Sequence, residues 1–223
     1  MSGRSVMPAK PETTMLTKTR GIAAFDLDGT LLRGPTVCEV LAKPLGRLKE
    51  MRRFEAFIEE CDIAAARVEM ARWYDGQSVD ELNVHLRNAE WAPGAHEAVQ
   101  KLQSAGVQVA VVSVTWSFAV QWFAEQLNVS NYLGTQLLSS GEINHVWGRD
   151  KARFVRGLAS NSGVPPHRIA AIGDSRGDIE MLKEARLPFF IGTTVPFESD
   201  QIIHLPQADL RVVAERILQE WAA

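Results

Sequence analysis

Cysteine is nearly absent: Cys38 and Cys61 are the only two in 223 residues. That excludes a disulfide framework and a Cys-rich zinc site, and both read as reduced, half-buried residues of an intracellular protein. The five histidines are scattered, with no His-x-x-x-His pair, so a histidine-built metal site is not expected. A basic excess is missing too. Lys plus Arg is 24 and Asp plus Glu is 27, leaving a net charge of −3, which argues against a dedicated nucleic-acid binder or a polybasic membrane anchor. No run reaches the ~20 apolar residues of a membrane span. The first twenty residues lack the apolar stretch of a secretory signal, and with Pro8, Pro11 and no aromatic residue they read as a mobile tail over 1–20. These absences point to a cytoplasmic protein with neither nucleic acid nor membrane as partner.

What is present is an ordinary globular balance, 46% apolar and 23% charged. The length suits one α/β domain carrying a small insertion. Short apolar runs at Ile22–Phe25, Val107–Val112 and Ile169–Ile172 each lead to a polar residue and read as buried strands. Leu187–Ile191 and Ile202–Leu205 are weaker candidates. Helical patterns lie between them: from Pro93-Gly94 to a stop at Gly106, Ser117–Leu127, Asp150–Ala159, Asp178–Ala185 and Leu210–Trp221. This alternation predicts a Rossmann-like parallel sheet with helices on both faces, over 21–32 and 92–223. Residues 33–91 show no strand. Leu48, Met51, Phe54, Ile58, Cys61, Ala65 and Val68 fall at steps of three and four, one stripe on one long helix or two in series, and Ser78-x-x-Glu81 is a capping box. The segment reads as an all-helical cap inserted after the first strand.

The strongest local signal is Asp26-Leu27-Asp28-Gly29-Thr30, directly after the first strand. Ligands in open parallel sheets bind at the carboxyl ends of strands, and residues i and i+2 of an extended chain face one side. Asp26 and Asp28 can therefore share a site. A calcium loop fails, because Leu31 and Val37 stand where such a loop needs Gly and Glu. Gly173-Asp174-Ser175-Arg176-Gly177-Asp178 follows another strand, and its two carboxylates suit a hard cation such as Mg²⁺. Ser113 ends a strand and Lys151 opens a helix. Taken singly, these read as an ordinary hydroxyl and a solvated lysine, although a cation in a first helical turn opposes the dipole.

Asp-x-Asp-Gly-Thr, then Ser113, then Lys151, then Gly-Asp-x-x-x-Asp is an ordered set in which the chain resembles the haloacid dehalogenase superfamily of phosphatases. Asp178-Ile179-Glu180-Met181-Leu182-Lys183-Glu184-Ala185 is most similar to its phosphoserine phosphatase group. The resemblance implies that Asp26 is the nucleophile, forming an aspartyl phosphate, and that Asp28 is the general acid and base. It implies Mg²⁺ held by Asp26, the backbone carbonyl of Asp28 and Asp174, with Asp178 in support. Ser113 and Lys151 would hold the phosphoryl oxygens. The implied reaction is hydrolysis of a small soluble phosphate ester. A phosphotransferase or mutase with the same intermediate, or an inactive binding protein on the same fold, are the alternatives.

The chain departs from that pattern in three places. Ser113 is followed by Val114-Thr115-Trp116 instead of two glycines, with Thr115 a candidate substrate donor. Gly177 stands where the group carries Asn. Pro35 stands where the group has a Glu for the substrate ammonium, with Glu39 one helical turn away, so L-phosphoserine is expected to be a poor substrate. In the cap, Arg67 and Arg72 are candidate carboxylate clamps, although most of the insert's 9 basic and 11 acidic residues suit a solvated face.

Overall fold

The computed structural model describes residues 19–196 and 201–222. The expected tail falls mostly in residues 1–18, outside the described residues. Within the described residues, seven strands form one sheet. They are β1 (Gly21–Phe25), β4 (Val107–Trp116), β5 (Asn131–Leu137), β6 (Ile143–Asn144), β7 (Ile169–Gly173), β8 (Leu187–Phe190) and β9 (Ile203–His204). The order is β6-β5-β4-β1-β7-β8-β9, parallel except for the antiparallel edge strand β6. From β1 the chain crosses to β4 and moves outward to β6. It then returns to β7 on the other side of β1. Strand order reverses there, which opens a crevice at the carboxyl ends of β4, β1 and β7.

Both sheet faces are covered, so β1, β7 and the middle of β4 (Val109–Val112) are apolar without alternating polar positions. Successive side chains still point opposite ways. Ala23, Phe25, Val109, Val111 and Ile172 pack toward α5 (Ala95–Ser104), α6 (Ser117–Gln126) and α9 (Leu210–Ala222). Ile22, Ala24, Ala110, Val112 and Ala171 pack toward α7 (Gly148–Ser162) and α8 (Ile179–Lys183). Helix α5 stops where expected, at Gly106 in the left-handed region (φ 79°).

Three features of the strands correct the sequence expectations. The apolar run from Val107 does not end at Ser113: β4 continues to Trp116, with its register broken between Val112 and Trp116. Strands β5 and β6 are not legible in the sequence, because Asn131-Tyr132-Leu133-Gly134-Thr135-Gln136-Leu137 mixes polar residues and a glycine in a partly buried strand near the sheet edge. Residues 33–91 are not free of strand either. Leu32–Arg33 (β2) pairs antiparallel with Glu90–Trp91 (β3) where the chain leaves and rejoins the core.

Between them lie α1 (Val37–Ala42), α2 (Leu48–Phe54), α3 (Glu60–Trp73) and α4 (Val79–Leu86). The Ser78–Glu81 capping box forms at α4, and a second, Thr36–Glu39, starts α1. The apolar stripe from Leu48 to Val68 does not survive as one face. The helix breaks after Phe54 and restarts at Glu60, which rotates the phase. Ile58 is 72% and Val68 45% exposed, and Cys61 is exposed, not half-buried as expected; Cys38 is half-buried. The inward face of α3 is instead Ile63, Ala66, Arg67 and Met70, at i, i+3, i+4 and i+7. No helix among the described residues is long and apolar enough to cross a membrane.

Candidate active site

The chain leaves β1 at Phe25 between Val111 of β4 and Ile172 of β7. Asp26 is fixed at that central strand end, its amide donating to Ile172 O (2.9 Å). The turn that follows needs Gly29. Its φ is 75°, and a Cβ there would run into the Asp174 carboxylate. This close approach brings the loops after β1 and β7 together. Thr30 Oγ1 donates to Asp174 Oδ1 at 3.5 Å. Arg33 donates to the carbonyls of Gly29 and Thr30, tying the loop to the strand that leads into the cap.

Lys151 reaches in from the first turn of α7. Its Nζ donates to Asp26 Oδ1 (2.6 Å) and Asp178 Oδ1 (2.7 Å), and all three groups are buried. Burial alone would discharge the lysine, but Asp178 and Asp26 outweigh it and raise its pKa. The faint sequence hint, a cation at an unfavourable helix position, has this cause. Both oxygens of Asp178 are engaged: its Oδ2 accepts from the amides of Asp174 and Ser175 and from Ser175 Oγ. It props Lys151 and the loop after β7.

The pKa of Asp26 is raised, first by burial and then by the charge of Asp178, with Lys151 opposing. Asp174 is pushed up to about 6, by burial and then Asp178. Carboxylate oxygens of Asp26, Asp174 and Asp178 lie within 4.8 Å of one another. A cluster of oxygens whose negative charge is under-compensated suits a hard divalent cation. Asp28 lies apart from that cluster. Its Oδ1 accepts from the amide of Val37 at the start of α1 (2.7 Å), and burial pushes it up to about 7.

A cavity of about 430 Å³ lies between these strand ends and the cap. Asp26, Asp28, Ser113, Thr115, Lys151 and Asp174 all line it. Ser113 Oγ accepts from the amide of Thr115 (3.2 Å), and Thr115 Oγ1 lies 3.2 Å from Cys38 Sγ. Burial pushes the Cys38 thiol up to about 12, so it is inert as a thiolate. Trp116 packs under the cap, edge-on to Tyr74.

The two cap arginines part company. Arg67 lines the cavity from α3. Arg72 does not: it pairs with Glu69 (3.3 Å) on the surface, so its expected role as a clamp is corrected. The inward row of α3 runs through Ile63, Ala66, Arg67 and Met70, and Arg72 falls outside it.

Glu39 does not turn inward either. Its carboxylate accepts from the Thr36 amide (3.2 Å) and Arg52 (3.4 Å). Among the described residues, the cap acid that lines the cavity is Glu55, just past the end of α2, accepting from Thr36 Oγ1 at 2.6 Å. Burial raises its pKa, although the residue as a whole is solvent-exposed. Nothing local in the sequence marks Glu55, because its direction is set by the break between α2 and α3. The rest of the roof is apolar: Met51, Phe54, Phe57, Ile63, Ala66 and Met70.

The chain is 30% identical over 179 residues to a phosphoserine phosphatase of Archaeoglobus fulgidus, covering 76% of this chain and 52% of that protein, so it spans about half the length of that relative. A phosphoserine phosphatase of Idiomarina loihiensis is 29% identical over 177 residues, 74% of this chain and 79% of that one. Among solved structures, a substrate-bound phosphoserine phosphatase complex superposes with a TM-score of 0.75 at 20% identity, covering 90% of this chain and 99% of that one, a likeness of fold. The family model for haloacid dehalogenase-like hydrolases matches residues 23–183, and with the strand-end carboxylates and buried lysine in place over that span, the chain belongs to this family.

Proposed function

We propose that the protein is a Mg²⁺-dependent phosphomonoester hydrolase that works through a phosphorylated Asp26. The observation that carries this is Lys151, buried and shared between Asp26 and Asp178, at the floor of a cavity that Asp28 and Ser113 also face. The similarity to phosphoserine phosphatases supports it.

Asp26 and Asp174, with the Asp28 carbonyl, would hold the cation, which supplies charge neutralisation between an anionic nucleophile and an anionic phosphate. Lys151 fixes one oxygen of Asp26 and leaves the other to attack phosphorus. Asp28, protonated in a large fraction near neutral pH, gives its proton to the leaving alkoxide. The same carboxylate, now ionised, takes a proton from the water that attacks the phosphorus of the acyl phosphate. That step releases inorganic phosphate and restores Asp26. Ser113 donates to a phosphoryl oxygen and Lys151 stabilises its charge.

The substrate is a small phosphate ester whose alcohol sits under the apolar roof. Glu55 supplies, from the cap, a carboxylate for an ammonium group that Pro35 cannot. The ground for expecting L-phosphoserine to be poor is thereby removed. The test is phosphate release from a panel of sugar, amino-alcohol and carboxylate phosphates. Release is expected with Mg²⁺, not after chelation and not with Ca²⁺, whose larger and looser set of oxygen ligands would hold Asp26 out of line for attack. Asp26→Asn is expected to lower turnover by at least about a thousandfold. Hydrolysis that survives exhaustive chelation, or Asp26→Asn, contradicts the proposal.

A further inference from the structure

Arg67 projects from the middle of α3 toward the core and is 5% exposed. A buried guanidinium needs acceptors, and here the core provides a socket. Nη2 donates to Val114 O (2.7 Å) and Val146 O (3.3 Å), and Nη1 lies 3.1 Å from His145 Nδ1. The guanidinium carbon lies 4.6 Å from the centre of the Trp147 ring, on which His145 stacks. The socket is itself tied together. Thr135 Oγ1 donates to Val114 O (2.8 Å) and accepts from the Val146 amide (3.0 Å). The nearby carboxylate Glu60 is engaged by Arg149.

Both walls of this socket lead to the phosphate-binding floor. Val114 follows Ser113 directly. The amide of Lys151 donates to Trp147 O (3.1 Å), so Trp147 and Lys151 share the first turn of α7. The strand that carries Ser113 and the helix that carries Lys151 therefore meet at one cap side chain.

We propose that Arg67 is a positioning residue that locks these two segments into one phosphate-binding floor. The cap then sets affinity for the phosphoryl group itself, and Arg67 does not read a carboxylate on the leaving group. This rests on the reading above that Ser113 and Lys151 hold the phosphoryl group.

The test is the Kd of inorganic phosphate, measured by calorimetry with Mg²⁺ present, for wild type, Arg67→Ala and Arg67→Lys. It needs no turnover, so it stands apart from failure of the phosphatase reading, which would show as no phosphate released from any ester. Arg67→Ala is expected to weaken phosphate binding about tenfold or more, the loss of charge-assisted hydrogen bonds. Arg67→Lys, which keeps charge without the fork, is expected to fall between. Millimolar guanidinium is expected to restore binding to the alanine variant. The value of kcat/KM should fall by a similar factor for p-nitrophenyl phosphate, which has no carboxylate, and for L-phosphoserine. Unchanged phosphate affinity, with a loss confined to L-phosphoserine, would overturn the proposal in favour of a carboxylate clamp. Weakened binding without guanidinium rescue would overturn it in favour of packing alone, and failure of the wild type to bind phosphate would also overturn it.

Discussion

The cavity has a floor and a roof built by different means. The floor is made of strand ends in one sheet: Asp26, Ser113 and Asp174 follow β1, lie within β4 and follow β7, and Lys151 is pinned between two buried carboxylates. Each strand end is set by ladder hydrogen bonds of the most buried strands. The roof is made of the short helix α2, the longer α3 and the turn between them. Its side chains are apolar apart from Glu55 and Arg67, and Phe57 reaches solvent. A rigid charged floor suits the chemistry common to phosphate esters. On the proposed reading, a roof whose face depends on where one helix stops would make the choice of alcohol.

If that division holds, floor substitutions should fail on every substrate. The largest effect below the loss of Asp26 is expected from Lys151→Met. In the metal-free protein it leaves Asp26 and Asp178 buried with no lysine counter-charge, so unfolding free energy measured without divalent cation should fall by about 3–5 kcal/mol, and hydrolysis with Mg²⁺ should be lost for all esters. Denaturant unfolding of the variant, beside phosphate release from the whole panel, measures both. Activity retained on any one ester would break the comparison.

Roof substitutions should instead change preference. Glu55→Gln is expected to lower kcat/KM for ammonium-bearing esters about fivefold relative to ammonium-free ones, since an ion pair at a solvent-reached mouth contributes about 1 kcal/mol. An equal change on both classes would move Glu55 to the floor. The smallest effect belongs to Arg72→Ala. Its ion pair with Glu69 is exposed, so kcat/KM should stay within about twofold and stability within about 0.5 kcal/mol, by steady-state rates and thermal unfolding.

The same division governs what the sequence reveals. Asp26, Asp28, Asp174 and Asp178 stand beside buried apolar runs with glycines at the turns, so each strand end and its carboxylates are read together. Ser113 and Lys151 are plain residues alone, and only their order with the other motifs marks them. The roof offers no such local mark. Arg67 and Arg72 stand five residues apart on one helix, and the phase after the break at Phe54 decides that Arg67 turns inward. Glu55 is hidden for the same reason, and Glu39, nearer the motif, is engaged by the α1 capping box. Strand β5 escapes a sequence reading because its polar residues and Gly134 hide a partner that β4 recruits only in the folded sheet.

The central claim is that Asp26 carries the phosphoryl group. Acid quench during turnover, followed by borohydride reduction, converts an aspartyl phosphate to homoserine, and peptide mass spectrometry locates it. Homoserine is expected at position 26 and not at 28, and is expected to be absent when substrate is withheld. Phosphate release with Asp26 unchanged would mean that water attacks the ester directly, contradicting the account.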